Sequence, residues 1–311
     1  MKKRNLLQLY YRLFSLIVDE PRIMPNKIRD YMKRYYKPTA ASTYLRHLRN
    51  MYKKGISHTP MITLKPYLGN ELKAYFCRKS NEKGLYKTFL DLHEDKRISY
   101  VVLLSGCDFL FMSRNKNLEW DLEKYDLDIL KVSNIYTPVY TIPKGWNLSV
   151  EEALNRFMDS KFRKGHLERQ IYRDLRWDET DWKIYRFMQS NIREKYVVIS
   201  RKTGVTLTTV REHFNKKILP KCVIVHQFFP KGFDKYTSMI LKIRSKYEKA
   251  ISQSLEKLPC MSIVFPLERE IILFLYHDNA ESILKTMQKM EEIGIVDTYH
   301  LFNPLMYGKP D

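Results

Sequence analysis

Cysteine is scarce in this 311-residue chain: Cys77, Cys107, Cys222 and Cys260 lie far apart, with no CxxC or Cys/His ligand spacing. That excludes a zinc ribbon or a disulfide framework and fits buried thiols of a cytoplasmic protein. Glycine is sparse too, at ten residues, and no P-loop, Rossmann glycine pattern, HExxH or GxSxG occurs. The eight histidines are scattered. No apolar run approaches the ~20 residues needed to cross a bilayer. The basic-then-apolar start MKKRNLLQLYYRLF is interrupted by Tyr10, Tyr11 and Arg12, and no small-residue cleavage site follows. These absences lead to the expectation of a cytoplasmic chain with no membrane contact, no metal, no cofactor and no catalytic residues.

What the chain has in excess is positive charge, with 55 Lys+Arg against 35 Asp+Glu for a net +20. Its placement matters more than its total. Residues 1–54 hold 14 Lys+Arg against 3 Asp+Glu and residues 178–221 hold 10 against 5, whereas 55–143 hold 12 against 11 and 232–311 hold 10 against 11. Basic stretches alternating with neutral ones point to two phosphate-contacting heads separated by neutral modules. With 44% apolar and 29% charged residues, the chain is long enough for several ordinary domain cores.

The most informative stretch is Arg201 to Lys217, RKTGVTLTTVREHFNKK. Gly204 suits a helix C-cap, where a left-handed backbone angle costs glycine nothing, and Thr206 offers an N-cap for the helix that follows. Val210 and Phe214, four apart, face inward. Leu207, Thr208, Arg211, Glu212, Asn215 and Lys216 are left outward, a surface suited to a major groove. Upstream, DETDWKIYRFM (Asp178 to Met188) has acids in its first turn and an inward stripe of Ile184, Tyr185 and Met188. The order and spacing of Asp178, Asp181, Ile184, Arg193, Tyr196, Ile199, Gly204, Val205, Thr206, Thr209 and Val210 resemble the N-terminal domain of the Lrp/AsnC transcriptional regulators. That resemblance implies a winged helix-turn-helix reading head followed by a hinge strand and a βαββαβ effector domain.

The start of the chain repeats the arrangement. Asn5–Val18, Met24–Met32 and Ala40–Lys53 read as three helices, the third with Leu45, Leu48 and Tyr52 inward, Thr39 as its cap, and Ser42, Thr43, Arg46, His47 and Arg49 outward. After Gly55 the period becomes strand-like. Strands are expected at 72–78, 98–104, 109–113 and 134–142, with a helix at 85–92. The hairpin ISYVVLLSGCDFLFMS resembles the family's effector hairpin, which implies a small-molecule effector, commonly an amino acid, near Gly106 and Asp108; turn formation alone also explains both residues. Residues 149–161 read as a solvated connector helix. In the last module, strands at 236–243, 262–265, 270–276 and 294–301 alternate with helices carrying Tyr247, Ile251, Leu255 and Leu258, then Ile283, Met287, Met290 and Ile293.

The expected fold is α+β, with two winged helix-turn-helix domains (1–62 and 178–231), two ferredoxin-like domains (63–143 and 232–311) and a helical connector (144–177). Its expected function is sequence-specific binding of double-stranded DNA through helices near 40–53 and 206–217. Base reading is assigned to Ser42, Thr43, Arg46, Arg49, Thr208, Arg211, Asn215 and Lys216, phosphate contact to Arg201, Lys202 and Lys217, and helix capping beside the DNA to Thr206. The ferredoxin-like modules are expected to pair within the chain or across a homodimer, the homodimer being favoured. Two alternatives stand beside this reading. One is a non-specific architectural nucleic-acid-binding protein. The other is an enzyme resembling the sirohaem decarboxylases, which share the architecture and carry His, Tyr and Arg in the hairpin that is largely apolar here.

Overall fold

The structure is a computed structural model and describes residues 3–81, 83–105, 108–115, 118–173 and 175–308. Its first half runs α1 (Lys3–Asp19), α2 (Pro25–Met32), α3 (Ala41–Lys53), β1 (Met61–Leu64), β2 (Leu72–Lys79), α4 (Leu85–Glu94), β3 (Ile98–Leu104), β4 (Asp108–Ser113), β5 (Leu127–Ile135) and β6 (Val139–Tyr140). The connector carries α5 (Val150–Met158). The second half runs α6 (Glu179–Met188), α7 (Tyr196–Thr203), α8 (Leu207–Glu212), β7 (Cys222–Val225), β8 (Thr237–Arg244), α9 (Glu248–Ser254), β9 (Ile263–Pro266), β10 (Ile271–His277), α10 (Ala280–Glu292), β11 (Thr298–Phe302) and β12 (Pro304–Gly308). Two three-helix heads and two antiparallel sheets result, an α+β fold.

Each head's core is completed by the other half of the chain. The hinge strands β1 and β7 pair antiparallel, Met61 opposite Val225 and Leu64 opposite Cys222. Past that ribbon each strand crosses over. Phe228, from the second half, is fully buried among Leu13, Phe14, Ile17, Leu48 and Met51 of the first head, while Ile62, Leu64 and Tyr67 enter the second head's core beside Ile184, Val210 and Phe214. This insertion corrects the expected inward stripe of α3. Tyr44, Leu48 and Met51 are buried, and Leu45 and Tyr52 are only partly covered, because the helix turns its face towards Phe228. The cap differs as well: Ala40 occupies the N-cap of α3, and the Thr39 hydroxyl donates to Lys37 O at 3.0 Å.

The sheets exchange strands in the same way. Each module has the ferredoxin-like order, β3-β4-β2-β5 in the first and β11-β8-β10-β9 in the second. Directly after β5 the chain crosses to add β6 to the second sheet beside β9, and directly after β11 it crosses back to add β12 to the first beside β3. The sheet faces then meet. Ala74, Phe76, Val102, Leu110 and Met112 pack against Ile240, Ile272 and Phe274 in one apolar layer. Of the two pairings expected for the sheet faces, the one within the chain is present, each face covering the other. The expected strand at 134–142 is likewise divided, its first part ending β5 and its last part forming β6.

The connector is not solvated as expected. Ser149 and Glu152 form a capping box that starts α5, and Val150, Ala153, Leu154 and Phe157 are buried against the helices of the second module. Beyond α5 the chain runs extended, fastened by Arg169, whose guanidinium meets the fully buried Glu248 carboxylate at 2.6 and 2.8 Å and donates to Leu267 O.

His226, just past the β1–β7 ribbon, lies buried 4.7 Å from the Phe14 ring with Nε2 3.0 Å from Ser57 Oγ. Burial first, then the nearby positive Arg193, pushes its pKa from 6.5 down to about 3. The unfolded chain therefore binds a proton that the folded chain refuses. The contribution of His226 to stability should be constant above about pH 6.5 and fall as pH drops towards 3, by at most ~1.4 kcal/mol per pH unit. Urea unfolding of the wild type and of His226→Gln across that window checks this: the variant should show a slope shallower by about one proton, and parallel curves would remove His226 as the titrating group.

Candidate functional site

In the second head the local signals fold as their residues dictate. Asp178 caps α6 through the Asp181 N–H at 2.9 Å, and Asp181 returns the bond to the Asp178 N–H at 3.1 Å. Gly204 ends α7 at φ +70. Thr206 accepts from the Thr209 N–H at 3.2 Å and starts α8, which continues through a wider turn over His213–Ile218. Val210, Phe214 and Ile218 point inward, as expected for the first two. Arg201, Lys202, Thr206, Thr208, Arg211, Asn215, Lys216 and Lys217 are all exposed.

Several of these groups are already engaged. Lys216 pairs with Glu212 at 3.0 Å. Asn215 donates to Arg211 O at 2.8 Å and accepts from the Tyr196 hydroxyl. Lys217 lies 3.2 Å from Asp178 and 3.4 Å from Asp181, and Lys202 sits over the Phe187 ring. Among the described residues, no hydrogen bond or ion pair holds the side chains of Arg201, Thr208 or Arg211. The sequence reading missed His213, whose Nδ1 is 2.7 Å from Oδ1 of the fully buried Asp181. Asp178, Asp181 and His213 converge closely enough to suggest a metal site, and the Lys217 ammonium, within 3.4 Å of both carboxylates, offsets one of their two negative charges. This cluster ties the exposed helix to the α6 cap.

In the first head Ser42, Arg46 and Arg49 are exposed on α3 and Thr43 is half-buried. His47, expected outward, turns towards Tyr10 with ring centroids 6.2 Å apart. The two heads clasp each other through their first turns. Arg193 donates to Pro21 O at 2.7 Å and Ile23 O at 3.3 Å; Arg22 donates to Ile192 O and to Glu194 O, with its guanidinium 3.9 Å over the Tyr196 ring.

The β3–β4 hairpin is consumed by packing on both faces. Val101, Leu103, Phe109 and Phe111 face the first module's helix, and Val102, Leu104, Leu110 and Met112 face the other sheet. Gly106 lies outside the described residues. Asp108 is held by the Arg78 guanidinium at 2.8 Å across the β2–β4 pair.

An open cavity of about 290 Å³ lies at the opposite end of β4, lined by Glu71, Lys73, Arg114, Asn115, Asn134 and Ile171. A narrow cleft of about 30 Å³ continues past Arg114 along Tyr136, Pro138 and Tyr140. Two parts of the chain line it, the ends of the first module's strands and the fastened connector that brings Ile171, and the β9–β10 turn lies beside Asn134, its Glu268 N–H donating to Ser133 Oγ. Arg114 donates to Asn70 O at 2.5 Å and Leu64 O at 3.1 Å. Burial lowers its pKa from the ordinary value, but a guanidinium stays protonated regardless. Burial also keeps the nearby phenols protonated, raising the pKa of Tyr140 and pushing that of Tyr185 up to about 12. Sequence reasoning missed this site, for which the only local signal is a cation placed directly after an apolar strand.

No family model matches the sequence, and no curated protein matches it. Among solved structures, the fold is similar to the sirohaem decarboxylase NirDL in complex with an iron-uroporphyrin III analogue: 9% identity and a TM-score of 0.52, covering 87% of this chain and 83% of that one. A second structure of NirDL matches with 8% identity, the same TM-score and the same coverage. At such identities the likeness shows a fold of the Lrp/AsnC kind. Both neighbours are structures of an enzyme, which overturns the expectation of a chain without enzymatic activity.

Proposed function

We propose that the chain is an enzyme of the sirohaem-decarboxylase type acting on an acidic tetrapyrrole. The observation that carries the reading is the likeness to NirDL, which at 87% coverage takes in both halves of the chain. A net charge of +20 suits a substrate bearing several carboxylates. Decarboxylation releases CO2 from one carboxylate and places a proton on the carbon left behind. Such a site needs a cation to hold the substrate's acidic edge and an acid to give the proton. Arg114 provides the cation, and Tyr140 and Tyr185 are phenols kept protonated nearby. Because the β3–β4 hairpin is apolar along most of its length, the chemistry is assigned to the Arg114 cleft. Anaerobic incubation with sirohaem and with iron-uroporphyrin III should perturb the tetrapyrrole absorbance and yield a product lighter by CO2 in mass spectrometry. An unperturbed spectrum with no mass loss would end this reading.

A second reading, DNA binding by the two heads, is favoured by the exposed and unengaged Thr208 and Arg211 on one head and the exposed Ser42, Arg46 and Arg49 on the other. Thr43, Asn215 and Lys216 complete the base-reading set, and Arg201, Lys202 and Lys217 hold phosphates. Arg211→Ala should weaken binding to a selected site by ~1–3 kcal/mol and leave binding to random duplex nearly unchanged. Mobility-shift titrations at fixed salt check this; equal loss on both DNAs would remove its base-reading role.

A further inference from the structure

The two halves of the chain are built alike, so each position beside a strand has a counterpart in the other half. Ser113, the last residue of β4, pairs with Lys73 in β2, and His277, the last residue of β10, pairs with Thr237 in β8. The next residues, Arg114 and Asp278, are therefore counterparts, as are Glu71 and Lys235. The sign of the charge is inverted at both positions.

Shape differs with charge. Around Arg114 the cavity of about 290 Å³ stands open. In the second half, Asp278 is ion-paired with Lys231. Two positions before that pair, Phe229 and Tyr276 pack ring against ring at 4.9 Å, with Phe233 5.1 Å from Phe229 and His58 5.3 Å from Phe233. Phe229 is fully buried there. One half thus has a cation beside an open hollow, and the other has an ion-paired anion at the equivalent position.

Arg114 is equipped to receive a ligand. Its two hydrogen bonds go to backbone carbonyls, which fix the guanidinium without neutralising it, and no carboxylate among the described residues forms an ion pair with it. Part of its planar donor fork is left over, a geometry that matches a carboxylate with two parallel bonds. Asn115 and Asn134 line the same hollow, the Asn134 amide donating to Glu268 Oε1 at 3.4 Å, and Glu71 on its wall disfavours a second anion beside the first.

We infer that the Arg114 cavity is a carboxylate-binding site and that each chain has one such site, the counterpart position in the second half carrying an ion-paired anion instead. The inference deepens the proposed activity by placing an acidic edge of its substrate. The shared chemistry is the carboxylate, whether it belongs to a tetrapyrrole side chain or to a small free diacid. The cavity volume suits a side chain or a small acid rather than a whole macrocycle.

Isothermal titration of the full chain with iron-uroporphyrin III and, separately, with glutarate tests it. At least one probe should bind at one equivalent per chain. Arg114→Lys, which keeps the charge and loses the fork, and Lys73→Glu, which reverses charge on the cavity wall, should each weaken that binding at least about tenfold. Asp278→Ala should leave it unchanged. Thermal melting shows whether the variants remain folded, and Lys73→Glu alters a wall residue should Arg114→Lys fail to fold. Glutarate binding with these responses and no tetrapyrrole binding would keep the site and end the tetrapyrrole reading. Two equivalents per chain, binding unmoved by both cavity variants, or no binding of either probe would overturn the inference.

Discussion

Phe228 is the residue on which the heads' arrangement turns. It belongs to the second half of the chain and fills the core of the first head, while Ile62, Leu64 and Tyr67 make the reverse crossing. Removing a buried aromatic side chain costs ~3–5 kcal/mol, against a net stability of ~5–15 kcal/mol for a typical domain. A head deprived of its crossing residues would lose a large share of its margin. The sheets repeat the constraint, since β6 and β12 each close an edge of the module to which they do not belong. An uncovered edge is a template for adding foreign strands, and the exchange covers β9 and β3 with β6 and β12 from the other half, which become the outer strands. Two half-chains that depend on each other this closely form one cooperative body.

That dependence sets what the surface can do. The Arg22 and Arg193 clasp fixes the heads through their first turns, which leaves α3 and α8 to present their outer faces. Arg169 and Glu248 hold the connector over the second module, so Ile171 arrives at the rim of the first. The cavity is therefore a product of the assembly. The Ile171 wall depends on the fastening of the connector, and the rest of the lining stands on the ends of the first module's strands.

Much of this was legible in the sequence, and the parts that were not share a cause. Caps depend on residues three apart, so Asp178, Thr206 and Ser149 could be recognised from their neighbours, as could the strands on either side of Ser105. Gly204 marked the end of α7 because few other residues accept its positive φ. Partner choice depends on residues more than a hundred positions away. Val150, Ala153, Leu154 and Phe157 form an apolar stripe in any reading, but nothing local says that the second module lies over it. The two-residue β6 is too short to show a period, and β12 follows β11 so closely that the pair reads as one strand and a tail. His47 was assigned outward from helical spacing alone, before Tyr10 could be placed beside it. Arg114 looked like any cation following an apolar strand, and its role depends on the carbonyls of Asn70 and Leu64 that hold it.

A duplicated fold keeps its two halves equivalent only where packing demands it. The inter-sheet layer is such a place, and it stayed apolar on both sides, Phe76 and Leu110 against Ile240 and Phe274. The strand ends carry no such demand. There the second half carries Asp278 ion-paired with Lys231, while the first half leaves a hollow open around a cation. Leaving Arg114 desolvated without a carboxylate partner is unfavourable for stability alone, because a buried charge is tolerated best when paired. The second half pairs its charge at the equivalent position, so the fold itself permits a paired arrangement there. Retaining the open cationic arrangement on one side is what a site for an external anion requires, and it is the feature of this molecule that packing alone does not explain.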